Sequence, residues 1–143
     1  MTSLVLAFDY GERRIGIATA NPLTATATPL TTVLVRNGIP DWVAIDHCIA
    51  DWAPAELIVG QPPKRDNQKI LAAIANFVQE LQNRYKLPVN TVDESLTSRA
   101  AEAMLAAQRR SGIRKKRTRK GDIDKHAACF IAERWMAETK QNA

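Results

Sequence analysis

The stretch LVLAF at residues 4–8 is apolar at every position, and Asp9, Tyr10 and Gly11 follow it directly. A strand with one wet face alternates apolar and polar residues, so an unbroken run fits a central strand, Ser3 to Phe8, covered on both faces. A chain built round such a strand must supply layers to either side of a sheet, and the remaining sequence is ordered to do so. Arg13 to Ala20 comes after a Gly-containing turn and alternates Ile15 and Ile17 with smaller residues, as a hairpin partner would. Pro29 to Arg36 is a third β-rich run, after which Asn37-Gly38 and Pro40 break the pattern.

From Asp41 the rhythm becomes helix and strand in turn. Residues 41–52 read as a helix and 56–60, ELIVG, as a short buried strand. Residues 67–85 carry Ile70, Leu71, Ile74, Phe77, Val78 and Leu81 on one helical stripe. A strand is predicted over 88–93. An alanine-rich helix follows over 98–110, N-capped by Thr97 and with Gly112 just past its end, and a last helix runs from Ile123 to about Thr139 with Asp122 as its N-cap. A three-strand meander followed by β-α-β-α units implies an α/β fold, a mixed five-stranded sheet of order 3-2-1-4-5 with helices on both faces. The strands after Asp41 should run parallel to the first. No internal repeat or long linker divides the chain, so residues 1–143 are read as one domain.

The charge is unevenly spread. Residues 109–120, RRSGIRKKRTRK, hold eight of the 20 Lys and Arg and no acid, so the rest of the chain is acidic by three charges although the whole is +5. Such a segment beside a mildly acidic body suits a polyanion, and phosphate backbones are the commonest one. A solvated charged loop is the bland alternative. Residues 110–121 are expected to form a mobile basic loop that orders on nucleic acid. Cys48 and Cys129 stand apart, with no C-x-x-C and no histidine at ligand spacing, and are read as inert reduced thiols. No apolar run approaches the roughly 20 residues of a membrane span, and MTSLVLAFDYG lacks a basic leader, so a cytoplasmic protein is expected.

Catalytic groups of parallel sheets gather at the carboxyl ends of the strands. Asp9 ends the first strand and the pair Asp93-Glu94 ends the fifth, separated by one intervening strand and hence by about 9–10 Å. The intervening strand closes on Gly60, which leaves room for a pocket that Glu94 could reach across. Asp124, Ala128, Ile131 and Trp135 share one stripe of the last helix, which puts Asp124 on the sheet-facing side of its first turn, with His126 on the surface. Stabilisation of the helix dipole is the competing explanation for that acid. Three convergent carboxylates make an oxygen-rich site suited to one or two Mg²⁺ or Mn²⁺ ions, a pair of which can activate water and stabilise a leaving oxygen.

Four pieces, FDYGERRIGIA (8–18), LIVGQPP (57–63), VDESLTSRAAE (92–102) and KGDIDKHAA (120–128), together resemble the YqgF (RuvX) family of RNase H-like nucleases, described as Holliday-junction resolvase-like or as pre-16S rRNA nucleases. The resemblance spans nearly the whole chain in order. It implies an RNase H-like fold and a metal-dependent endonuclease, with Asp9, Glu94 and Asp124 at the positions of the family's acidic triad. Ser95 stands where the family commonly has Arg, and Gln61 where it has an apolar residue; Arg99, one helical turn on, is placed to substitute for that Arg. The favoured substrate is a ribosomal RNA precursor, processed at the 5′ end of pre-16S rRNA in the context of the small subunit.

Arg13, Arg14 and Arg99, with Arg109, Arg110, Arg114, Lys115, Lys116, Arg117, Arg119 and Lys120, are the expected phosphate contacts. No aromatic-rich platform for stacking bases is evident in the sequence, which favours recognition of shape and backbone. A DNA junction resolvase and a non-catalytic RNA-binding assembly factor remain as alternatives. D-x-G before a hairpin also resembles the phosphate loop of the actin and sugar-kinase superfold, but this chain has no second such element. A homodimer is compatible with the sequence.

Overall fold

The computed structural model describes residues 4–61, 68–93 and 120–141. Strands β1 (Val5–Tyr10), β2 (Arg14–Asn21) and β3 (Thr26–Arg36) form the expected antiparallel meander, with β3 starting three residues earlier than its apolar pattern indicates. The β1–β2 turn needs its glycine, because a Cβ on Gly11 would lie 2.7 Å from the Arg14 carbonyl oxygen. The chain past β3 differs from expectation. Asn37 and Gly38 both take positive φ, 53° and 76°, the two-residue hairpin geometry that Asn-Gly favours, and fold a short strand β4 (Ile39–Pro40) back onto Val35 and Arg36. What reads as a break is a tight turn, so the sheet has six strands among the described residues.

Helix α1 (Trp42–Trp52) is capped by Asp41, whose carboxylate accepts the Ala44 N–H at 3.2 Å, and it ends where Ala53 turns left-handed. Strand β5 (Glu56–Gln61) then runs parallel to β1, helix α2 (Gln68–Tyr85) crosses back, and β6 (Val89–Asp93) runs parallel to β5. The sheet order is β4-β3-β2-β1-β5-β6, the expected order with β4 added at one edge. The helix predicted over 98–110 lies outside the described residues.

The last helix, α3 (Lys120–Gln141), begins three residues ahead of its predicted start. Asp122 is therefore inside the helix and is not its N-cap, and Asp124 is the fifth helical residue, one turn deeper than expected. Of the basic loop expected over 110–121, Lys120 and Gly121 belong to α3 and residues 110–119 lie outside the described residues. Helix propensity read from Lys-Gly-Asp is weak, and packing of the following stripe against the sheet outweighs it.

The two faces of the sheet are packed differently. On one, Leu6, Phe8, Ile15, Ile17, Leu57 and Val59 meet Ile45 of α1 and Ile74, Phe77 and Leu81 of α2, much as the helical stripe predicted. Phe77 is the hub of this layer, edge-on to Phe8 at 5.6 Å, tilted against Tyr10 at 5.1 Å and stacked on Trp42 at 5.6 Å. The Tyr85 hydroxyl donates to Asp46, tying α2 to α1. On the other face α3 lies over Val5, Ala7, Ala18, Ala20, Ile58 and Val92 through Ala128, Ile131, Ala132 and Met136. Alanines on both surfaces let helix and sheet backbones approach closely. Both thiols are free. Cys129 is buried, which pushes its pKa up to about 12, and half-buried Cys48 is also raised by burial.

Candidate active site

Asp9 is the penultimate residue of β1 and is half-buried. Val5 and Ala7 face α3 while Leu6, Phe8 and Tyr10 face α1 and α2, so strand alternation puts the Asp9 carboxylate on the α3 face. Its antiparallel neighbour is Gly16. On the other side the register Phe8↔Val59, carried one step on, brings it level with Gly60. The acid thus stands between two residues that have no side chain, so neither neighbouring strand places a side chain beside it at that level.

Helix α3 descends across this face antiparallel to β1. Its earlier residues Ala128 and Cys129 cluster with Ala18, opposite Ala7, whereas Ile131, Ala132 and Met136 belong with Val5 and Ala20 farther down. Asp124 is one turn, about 6 Å, above Ala128. Asp9 is two residues, about 7 Å, above Ala7. The helix backbone therefore reaches the level of Asp9 near residue 124. Ala128 and Ile131 are fully buried and Trp135 is partly buried, as the stripe expected of them. His126, expected on the surface, is half-buried.

Strand β6 lies two positions from β1, as the expected spacing requires. Val92 faces α3 with Ile58, so Asp93, the next residue, faces the other way and is exposed. Glu94 lies outside the described residues. No cluster of three His, Cys, Asp or Glu side chains forms among the described residues alone.

Arg13 is exposed in the β1–β2 turn, and its carbonyl accepts the Val35 N–H at 2.8 Å, which holds the turn against β3. Arg14 is half-buried and, two positions from Gly16, shares the α3 face with Asp9. The two arginines that adjoin in sequence are therefore divided between the turn and the site face, and with Gly11 and Glu12 they line a shallow pocket at the sheet end. Lys120 opens α3. Arg99, Arg109, Arg110, Arg114, Lys115, Lys116, Arg117 and Arg119 lie outside the described residues.

Sequence reasoning did not anticipate a cavity of about 390 Å³ at the same sheet end but on the opposite face, between the β3–β4 hairpin and α2. Tyr10, Trp42 and Phe77 line it, and they come from three elements whose periodicity marks each only as core.

The family model described as RuvX, Holliday junction resolvase, matches residues 3–138. A relative from Legionella pneumophila (strain Paris), named "Putative pre-16S rRNA nuclease", is 39% identical over 137 residues, covering 94% of this chain and 96% of its own. The chain belongs to the RuvX family. A Francisella tularensis subsp. novicida relative of the same name is 36% identical over 140 residues, covering 96% of this chain and 99% of its own. Membership places this RuvX-family chain among nucleases, hydrolytic enzymes. Among solved structures, T. thermophilus RuvC in complex with a Holliday junction substrate aligns with a TM-score of 0.62 at 13% identity, covering 98% of this chain and 97% of that one. The Fowlpox virus resolvase bound to Holliday junction DNA aligns at 0.53 and 13%, covering 95% and 98%. At such identity the likeness establishes the shared RNase H-like fold of the RuvX-family chain.

Proposed function

We propose that this RuvX-family protein is a metal-dependent endonuclease that hydrolyses phosphodiester bonds in structured nucleic acid, with the 5′ end of pre-16S rRNA as its favoured substrate. The observation that carries the reading is Asp9 itself. A half-buried carboxylate at the carboxyl end of the central parallel strand, level with Gly16 and Gly60 and on the face crossed by the helix that carries Asp124, is placed to offer oxygen to a cation at the sheet end. The substrate assignment draws on the names of the Legionella and Francisella relatives.

The donor chemistry suits a hard divalent cation: Asp9 offers carboxylate oxygen, and its near neighbours on the sheet at that level are Ala7, Gly16 and Gly60. Asp9, Glu94 and Asp124 would hold one or two Mg²⁺ or Mn²⁺ ions. Asp93 faces away from Asp9, which is compatible with Glu94 as the member of that pair in the proposed set. Bound there, the metal supplies a more acidic water and charge neutralisation at the phosphate. Arg14, on the same face, would hold a non-bridging phosphate oxygen and orient the phosphorus for attack by water. Arg13 and the basic residues from Arg99 to Lys120 hold neighbouring phosphates, which sets the position of the strand without reading its sequence. In the reaction a water oxygen bonds to phosphorus, the bond from phosphorus to the ester oxygen breaks, and that oxygen leaves as a hydroxyl after taking a proton. A cytoplasmic location follows from this substrate, and no described helix is long and apolar enough to cross a membrane.

Purified protein with Mg²⁺ or Mn²⁺ should cleave precursor 16S rRNA, and Asp9→Asn should abolish cleavage while RNA binding is retained. Cleavage by Asp9→Asn at the wild-type rate would refute the assignment. The second reading, a DNA junction resolvase, is favoured by the description of the matching family model. A four-way DNA junction incubated beside the RNA separates the two by which substrate is cut.

A further inference from the structure

The cavity between the β3–β4 hairpin and α2 has no part in the proposed phosphodiester chemistry, which lies on the other face of the sheet. Its floor is aromatic, with Tyr10 and Phe77 in contact and Trp42 stacked on Phe77. Its rim is polar: Asn76 is exposed, Glu80 and Arg84 form an ion pair at 3.0 Å, and the Arg84 guanidinium lies 4.1 Å over the Trp42 ring. A volume of about 390 Å³ is near the lower end of the roughly 300–1,000 Å³ typical of small-ligand sites and matches one ring system with a sugar better than a length of chain.

Tyr10 decides what chemistry such a ligand must have. It is only 8% exposed, it lines the cavity, and its hydroxyl has no hydrogen-bond partner among the described residues. An apolar occupant that covered this hydroxyl would leave it without water or partner at a cost of about 1–3 kcal/mol, whereas a flat ring with polar edge atoms would pair with it. Asn76 offers an amide donor and acceptor at the mouth, a pattern that pairs with ring nitrogens and exocyclic groups.

We propose that this cavity is a nucleobase site, taking one base and its ribose with the ring against the Tyr10–Phe77–Trp42 surface and its polar edge on the Tyr10 hydroxyl and Asn76. The proposal does not depend on the metal-site reading. Tyr10 follows Asp9 directly and leaves the opposite face of β1, so the base could belong to a nucleotide displaced round the sheet edge from a bound strand or to a free nucleotide.

A ¹H–¹⁵N NMR titration of the full chain in EDTA, with no cleavage possible, tests this. The four nucleoside monophosphates form one arm, a short single-stranded RNA the second, and ribose 5-phosphate the control. Binding is expected to move the amide of Tyr10, the side-chain amide of Asn76 and the indole N–H of Trp42, with ribose 5-phosphate leaving all three in place. Binding by the monophosphates identifies a free-nucleotide site, and binding by the oligonucleotide alone identifies a strand site. Tyr10→Phe, which removes only the unpaired hydroxyl and should fold normally, is expected to weaken binding about 3- to 10-fold, and Asn76→Ala by a similar factor. No shift at these residues in either arm, or unchanged affinity in both variants, overturns the proposal.

Discussion

Replacing Ala128 by Leu tests whether the close fit of α3 on the sheet sets the geometry at Asp9. Ala128 is fully buried and packs against Ala18, itself fully buried, with Ala27 beside them. Leu adds three carbon atoms where the nearest sheet residue ends at a Cβ, so either the new side chain is forced off its rotamer or the helix moves outward. Overpacking of this kind costs about 1–3 kcal/mol, equivalent to a fall in Tm of about 3–10 °C for a chain of this size. The helix also carries Asp124 one turn above the substitution, so an outward shift of about 1 Å there should lower cleavage by on the order of 100-fold. Met136→Leu, a volume-conserving change farther down the same helix, should cost less than about 1.5 kcal/mol and leave cleavage intact. Circular dichroism melting and initial rates on precursor RNA, taken well below both melting points, give the two numbers. A Tm loss with wild-type cleavage would refute the argument that α3 places a ligand, and an unchanged Tm would refute the tight packing itself.

Gly11→Ala puts a Cβ 2.7 Å from the Arg14 carbonyl oxygen, a backbone atom that cannot swing aside, and should cost about 1–3 kcal/mol by thermal melting while disturbing the turn that follows Asp9. Phe77→Leu removes three ring contacts, each contributing about 0.5–1.5 kcal/mol, and should lower Tm and cleavage together although Phe77 faces away from Asp9. The Cys129 thiol, held at about 12 by burial, and the hydroxyls of Tyr10 and Tyr85, also raised, keep their protons in the folded state after the unfolded chain has begun to lose them. Their contribution is complete below about pH 9 and falls as pH rises toward 12, so denaturant midpoints should decline across that window and decline less steeply in Cys129→Ala. Deleting residues 111–120 removes six cations and should weaken RNA binding in a way that disappears at high salt, as read from the slope of log affinity against log salt.

The parallel core was legible because LVLAF and ELIVG are short unbroken apolar runs bounded by turn residues, as strands covered on both faces are, and Ile74, Phe77 and Leu81 repeat at helical spacing. Strand β4 was not legible, because two residues carry no period and the Asn-Gly that creates it reads equally as an ending. The start of α3 was hidden for a related reason: Lys120, Gly121 and Asp122 continue a basic, glycine-containing stretch, and only the sheet beneath Ala128 and Ile131 rewards their helical conformation. Of the proposed metal ligands, Asp9 and Asp124 could be placed from strand-end and stripe positions. The divided arginines and the aromatic cavity depend on alternation and on long-range packing that spacing does not encode.

The contrast between the two sheet faces explains why the acid can be both fixed and accessible. A carboxylate meant to meet a phosphate needs space beside it, and on its own face the sequence supplies Gly16, Gly60, Ala7 and Ala18, which contribute little bulk to hold β1 in place. The bulky side chains that hold the end of β1 therefore lie behind it. Leu6, Phe8 and Tyr10 alternate with Ala7 and Asp9 and anchor the strand in the layer centred on Phe77. The two-residue period of a single strand thus separates support from chemistry, and it places the unpaired Tyr10 hydroxyl back to back with the Asp9 carboxylate. A ligand that engages Tyr10 from the aromatic side would act on the peptide that positions Asp9, so the proposed nucleobase cavity and the proposed metal site are adjacent through the backbone even though the sheet divides them.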